Sequence, residues 1–321
     1  MRLILDCDPG IGVPASDIDD GLAIGMALRA PGVELELVSV VAGNKRVSDG
    51  VACALAVIEK AGAGSSIPVY AGADEPLLAE ADAARWRALL DEGRDTDEVR
   101  QLWEGIGRPS PHIEARPGFA PTAIAECILA HPGEVSVVAV GPLTNVAIAL
   151  LQDPRVAGAM DQLVIVGGVI GLPGGEPELN FGYDPEAAEI VLRRAQRITL
   201  VPVDVSWTTR FTTGDCEALR GIGSDLARYL ADCTEPWIRY VRSAFEMDGC
   251  PLHDPLALAV ALDPSWVSVE QARVRLELGG EMLRSRMVCG DANWEPGAEV
   301  RLVTGLENRE LVRRVLSSIQ G

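Results

Sequence analysis

Lysine is nearly absent from this chain. Lys45 and Lys60 are the only two in 321 residues, and every other cationic side chain is an arginine. That scarcity removes lysine chemistry from most sites the chain could build. Histidine is also rare, limited to His112, His131 and His253. The seven cysteines, Cys7, Cys53, Cys127, Cys216, Cys233, Cys250 and Cys289, form no CxxC pair, and they read as reduced, mostly buried thiols. A net charge of -19 leaves no basic face for a phosphate backbone or an anionic membrane surface. Apolar runs long enough to span a bilayer are all interrupted by charge, Gly or Pro, and the run before Asp6 is too short for a signal h-region. No membrane span and no export are therefore expected, and the cytoplasm is the expected location.

What is present is apolar and periodic. With 48% hydrophobic residues the chain can bury a large core. Short β-rich runs (Leu3-Leu5, Leu35-Ala42, Pro68-Tyr70, Val135-Val140, Leu163-Val166, Thr199-Val203) alternate with Ala/Leu-rich runs (Gly21-Arg29, Val47-Ala61, Pro121-Ala130, Leu143-Leu151, Pro185-Ala195). Such alternation predicts βαβ units, and hence an α/β fold with a mainly parallel central sheet flanked by helices and a Rossmann-like core. The expected organisation is one large domain over residues 1–321. Between Asp74 and Arg116 the pattern gives way to a charged stretch, either a lid over the site or a solvated surface with one edge near it, the latter being the expected outcome. Helices are predicted there over Glu80-Leu90 and Thr96-Trp103. Later in the chain a helical region spans Ser224-Met247. Short strands at Val267-Val269, Val274-Leu278 and Val300-Val303 precede a terminal helix, Glu307-Ile319.

Ligands of parallel sheets bind beyond the carboxyl ends of the strands. After the first predicted strand come Asp6 and Asp8, and then Asp17, Asp19 and Asp20. Carboxylates packed so closely survive if they are solvated, protonated, or gathered around a cation. Oxygen donors of this kind suit Ca²⁺ or Mg²⁺ better than Zn²⁺. The plainer alternative is an acidic turn that caps the next helix. The other strand ends carry Gly43-Asn44, Gly141-Pro142-Leu143-Thr144-Asn145, Gly167-Gly168 and Asp204. Two further acidic helix starts are Glu178-Leu179-Asn180 with Asp184-Pro185, and His253-Asp254-Pro255.

Taken in order, Asp6-Cys7-Asp8-Pro9-Gly10 with Asp19-Asp20, Val41-Ala42-Gly43-Asn44, Gly141 to Asn145, Gly167-Gly168, Glu178-Leu179-Asn180 with Asp184 to Ala188, and His253-Asp254-Pro255 resemble the signatures of the inosine-uridine-preferring nucleoside hydrolases. The likeness spans nearly the whole chain. It implies a single α/β domain that holds Ca²⁺ at the carboxyl edge of its sheet and cleaves the N-glycosidic bond of ribonucleosides. By motif position it implies Asp8 as the metal-bound carboxylate that serves as general base on the nucleophilic water. Asp20, Val140 (through its carbonyl) and Asp254 are implied as further metal ligands. Asp19, Asn44, Glu178 and Asn180 match positions that hydrogen-bond the ribose hydroxyls, and Asp6 matches an acid behind them. The implied partners are a small nucleoside and further copies of the chain, as a homodimer or homotetramer.

The chemistry suits this set, because departure of the base leaves an oxocarbenium-like sugar that carboxylates stabilise. His253, beside Asp254, is the candidate for protonating the leaving base. Trp237 and Tyr240, three apart on a predicted helix, are candidates for stacking on the base, although that spacing also suits core packing. His112 and His131 read as surface or loop residues. The sequence departs from the family pattern in two places. Ile11 to Ile18 intervene where one residue is usual, so either the loop bulges away from the helix start or Asp17 takes a ligand role; the bulge is the expected outcome. A His-Gly-x-Asp-Gly-Leu-Gly segment after Asp74 is missing. Two other readings compete: a haloacid-dehalogenase-like phosphatase, which needs a later lysine that this chain lacks, and a non-catalytic Ca²⁺-dependent ribose-binding protein.

Overall fold

A computed structural model describes residues 1–92, 96–171, 177–280, 283–291, 293–294 and 297–321. Its centre is a nine-stranded sheet in the order β3-β2-β1-β4-β5-β6-β9-β7-β8. The strands are β1 (Arg2–Cys7), β2 (Glu34–Val40), β3 (Val69–Ala71), β4 (Val135–Ala139), β5 (Gln162–Val166), β6 (Ile198–Val201), β7 (Ser268–Leu276), β8 (Met287–Gly290) and β9 (Ala298–Gly305). From β3 through β6 to β9 all neighbours pair in parallel, while β7 runs antiparallel to both β9 and β8. The chain builds outward from β1 in one direction and from β4 in the other. The crevice beyond the carboxyl ends of β1 and β4 is therefore a topological switch point, the place where such sheets bind ligands.

Strand residues alternate between the two faces of the sheet. Leu3, Leu5 and Cys7 of β1 join one core, which is covered by the helices Asp19–Arg29, Val47–Lys60, Asp225–Phe245, His253–Leu262 and Asn308–Gln320. Ile4 joins the other, under Ala120–Ala130, Thr144–Gln152 and Pro185–Arg194. Both faces are thus sealed, as a parallel sheet requires. Every predicted βαβ element is present within two residues of its expected ends. The two strands expected around Val267-Val269 and Val274-Leu278 are one continuous strand, β7, because pairing along β9 carries the ladder through the polar residues between them. β8 and the helices Arg155–Ala159 and Thr213–Gly221 were not foreseen.

The charged stretch after Asp74 forms the helix Glu80–Arg87, a π-helical turn (Ala88–Glu92) and the helix Asp97–Leu102. The segment from Ile11 to Ile18 does not bulge into solvent. Ile11 and Ile18 are fully buried, and Gly12, with φ of 81°, lies close under Pro109 and the Tyr229 hydroxyl. Asp19 and Asp20 nevertheless open their helix as expected. The Gly/Pro-rich loop before Glu178 falls outside the described residues over 172–176.

Candidate active site

Asp8 is the first residue past β1 and Val140 the first past β4, so the switch point brings them together. Asp8 Oδ2 accepts the Asn44 backbone N–H at 2.7 Å, and the Asp8 N–H donates to Asp20 Oδ1 at 2.9 Å. Its carboxylate fills a cradle between two glycines. A Cβ on Gly141 would lie 2.8 Å from Asp8 Oδ1, and one on Gly43 would overlap Oδ2. The glycines at these strand ends therefore make room for an acid.

Asp19 and Asp20 occupy the first turn of the helix Asp19–Arg29, where the helix dipole favours negative charge. The helix His253–Leu262 has no side-chain cap from its own flank. Asp19 supplies one from across the chain: its Oδ2 accepts the backbone N–H groups of His253 at 2.8 Å and Asp254 at 3.1 Å. Carboxylate oxygens of Asp19, Asp20 and Asp254 consequently lie within 4.8 Å of one another. This convergent set differs from the expected trio of Asp8, Asp20 and Asp254. Capping draws Asp19 into the cluster, while Asp8 forms the adjoining wall.

Glu178 and Asn180 come from the loop and helix start beyond β5. Asn180 Nδ2 donates to the Val140 carbonyl at 2.6 Å and to the Val166 carbonyl at 3.1 Å. The Glu178 carboxylate accepts from the N–H groups of Gly168, Asn180 and Phe181 at 2.7–2.9 Å. It caps the helix Leu179–Tyr183 and shapes the turn. Behind Asp8, Asp6 Oδ1 accepts from Ser39 and Asn145 at 2.6 and 2.8 Å, while the buried Oδ2 has no partner among the described residues.

These side chains border a cavity of about 390 Å³ lined by Asp8, Asp17, Asp19, Asn44, Glu178, Asn180, His253 and Asp254, with Val140, Val166, Val203, Pro177, Leu90 and Leu179 as apolar wall. Trp86, Trp207 and Phe245 supply its aromatic faces. Trp237 and Tyr240 are a correction to the expected site. They stack on each other at 5.1 Å and 22°, Trp237 is only 4% exposed, and neither borders the cavity, so this pair is core packing. His253 lies in the wall, its Nδ1 2.6 Å from Ser206 Oγ and its ring stacked on Trp207. Burial pushes the imidazole below its ordinary pKa, and the nearby Asp17 carboxylate pulls the other way.

The buried charge at the site has to be offset by protons or by a cation. Asp8, Asp19, Asp20 and Asp254 are each at most 4% exposed, and no Lys or Arg is among the described residues lining the cavity. Burial first, and repulsion from the neighbouring carboxylates after it, raise Asp8 to about 8 and push Asp20 and Asp254 well above the ordinary range. Asp6 is raised to about 7, chiefly by burial. A hard divalent ion fits this all-oxygen donor set.

Sheet and site together define an α/β protein with buried carboxylates gathered at the switch point of its sheet. The sequence profile of the family described as "Inosine-uridine preferring nucleoside hydrolase" matches residues 3–313, and the chain belongs to that family. A probable uridine nucleosidase 1 of Oryza sativa subsp. japonica is 31% identical over 285 residues, covering 87% of this chain and 82% of that protein. Among solved structures, a plant nucleoside hydrolase superposes with a TM-score of 0.83 at 28% identity, covering 100% of this chain and 99% of that one. The purine-preferring ribonucleoside hydrolase of Gardnerella vaginalis also reaches 0.83, at 27% identity and 100% and 98% coverage. The chain is therefore a nucleoside hydrolase, an N-glycosyl hydrolase of small nucleosides from a metal-dependent family. The phosphatase alternative falls with this membership.

Sequence reasoning did not place Trp86, Trp207, Phe245 or Ser206 at the site. Ser206 and Trp207 follow β6 at the carboxyl edge and were findable by that rule. Trp86 lies in the charged stretch without periodicity, where nothing marked it.

Proposed function

We propose that the protein hydrolyses ribonucleosides with the aid of bound Ca²⁺, Asp8 taking a proton from the attacking water and His253 giving one to the departing base. The observation that carries this reading is the wall of buried carboxylates, with no cationic side chain among the described residues that line it, at the switch point of the sheet. Asp8, Asp20, Asp254 and the Val140 carbonyl are the proposed holders of the ion, with Asp19 close beside them. A bound hard cation supplies charge compensation, a more acidic water and an anchor for the vicinal ribose hydroxyls.

The remaining work falls to side chains. Asn44, Asp19, Glu178 and Asn180 Oδ1 hold the ribose, and Glu178 also keeps the loop in shape. As the C1′–N bond breaks, its electron pair passes to the base nitrogen, and the surrounding carboxylates stabilise the positive charge that grows on the sugar. Water oxygen then bonds C1′ and its proton goes to Asp8. His253, at the aromatic end of the cavity, protonates the base nitrogen. The seven free cysteines support residence in a reducing compartment such as the cytoplasm. Assembly as a homodimer or homotetramer belongs to the same proposal and is read from the mass in solution.

The names of the relatives include a uridine nucleosidase and a purine-preferring enzyme, so the test needs a panel. Protein stripped by a chelator and then resupplied with Ca²⁺ is assayed for base release from inosine, adenosine, uridine and cytidine. The expected result is Ca²⁺-dependent release from at least one. Release that chelation does not affect, or no release from any of the four, would overturn the proposed Ca²⁺-dependent hydrolysis of these ribonucleosides.

A further inference from the structure

Ser206 and Trp207 stand where the short helix Val203–Ser206 ends, after β6, outside every motif that pointed to the hydrolase. Ser206 is fully buried, and its Oγ lies 2.6 Å from His253 Nδ1. The Trp207 ring lies against the imidazole face, with centroids 6.1 Å apart and planes at 28°. Phe245 in turn braces Trp207 edge-on, at 5.9 Å and 87°. The backbone is tied in as well. The Thr209 hydroxyl donates to the Ser206 carbonyl and accepts the Leu252 N–H, both at 2.7 Å, which links this turn to the residue just before His253. One edge and one face of the imidazole are therefore held, and His253 Nε2 has no partner among the described residues.

We propose that Ser206, assisted by Trp207, is a positioning residue that presents His253 Nε2 to the leaving base. The inference rests on His253 being the group that protonates that base. A hydroxyl suits the task because it can either donate or accept. While His253 is an imidazolium, Nδ1–H donates to Ser206 Oγ and Nε2–H points to the base. When the C1′–N bond breaks, the base nitrogen takes the bond's electron pair and the Nε2 proton. The ring is left as the Nδ1–H tautomer with its bond to Ser206 intact. The hydrogen bond on one ring nitrogen thus settles what the other can do.

The test uses the full-length Ca²⁺-loaded protein and its Ser206→Ala, Ser206→Thr and His253→Ala variants. Each is assayed on inosine and on 4-nitrophenyl riboside, whose leaving group departs as a stable anion. Ser206→Ala is expected to lower kcat on inosine by about tenfold or more, within the range of general-acid effects, while nearly sparing the nitrophenyl substrate and KM. Ser206→Thr is expected to restore inosine turnover. Equal slowing of both substrates by Ser206→Ala, or none, while His253→Ala shows the contrast, would overturn the positioning role alone. Equal slowing by His253→Ala would overturn the acid and this inference with it. A measurement on unsubstituted protein guards against a variant that does not fold: with ¹⁵N-histidine label, only three ring systems need assignment. The expected spectrum has His253 Nδ1 hydrogen-bonded, and a bare Nδ1 would refute the proposal.

Discussion

The Asp19 carboxylate accepts the backbone N–H of His253 at 2.8 Å, across 234 positions of sequence. One side chain thus starts its own helix and caps another, locking together two of the acidic helix starts of the site. Asp19→Asn keeps an acceptor oxygen for the cap but removes a charge. It is expected to melt close to the unsubstituted protein while losing roughly a hundredfold in kcat/KM. Asp19→Ala, which also loses the cap, should cost about 1–2 kcal/mol in addition. Thermal melts alongside base-release kinetics separate the two effects.

Gly43→Ala should inactivate without unfolding. The new Cβ would overlap Asp8 Oδ2 and lie 2.7 Å from Pro142 Cδ, so the carboxylate must leave its cradle. Turnover is expected to fall by about two orders of magnitude or more, approaching that of Asp8→Ala. Near-normal turnover in Gly43→Ala would show that the position of Asp8 does not matter.

Metal-free protein should become less stable as pH rises. Asp6 and Asp8 hold protons in the fold up to about 7 and about 8, against an ordinary value of 3.8. Between 3.8 and those values the unfolded chain has released protons that the folded chain keeps, so stability is fully present below that window and is lost as pH climbs through it. Ca²⁺ competes with those protons. Its stabilising effect should therefore be larger at pH 8 than at pH 5, as melting scans with chelator and with Ca²⁺ can measure. The opposite trend would contradict the proposed set of ligands.

Two tryptophans should part ways. Trp207→Ala opens the aromatic end of the cavity and is expected to raise KM or lower kcat on natural nucleosides. Trp237→Ala empties a packed position, where aromatic-to-alanine changes cost about 3–5 kcal/mol, and should leave KM nearly unchanged where the protein folds.

A site built around ribose hydroxyls should also reject 2′-deoxyinosine relative to inosine, by a large factor in kcat/KM. Similar values for the two would remove Asn44, Asp19 and Asn180 from the sugar contacts.

How much of this was legible in the chain follows from which interactions are local. The short continuous apolar runs of β1 and β4 and the Pro-containing start at Asp184-Pro185 carry their own signals, because strand preference and capping act over a few residues. The carboxyl-edge rule then sufficed to gather Asp6, Asp8 and Asn44 at one place, while Val140 and Asn180 entered only through the resemblance to the family. Other features needed the assembled fold. Asp19 joins Asp20 and Asp254 because it caps a helix 234 positions away, a partnership with no local trace. Trp237 and Tyr240 share the three-residue spacing of a binding pair, yet the face of the helix Asp225–Phe245 that carries Trp237 turns inward. Trp86 reaches the cavity from a stretch with no hydrophobic period at all. Sequence by itself determined the elements, their order and most of the acids, since backbone preference and burial pattern are read residue by residue. Only the tertiary structure decided which carboxylates converge, which aromatics face the substrate and what holds His253, because those depend on atoms that the chain brings together after long separations.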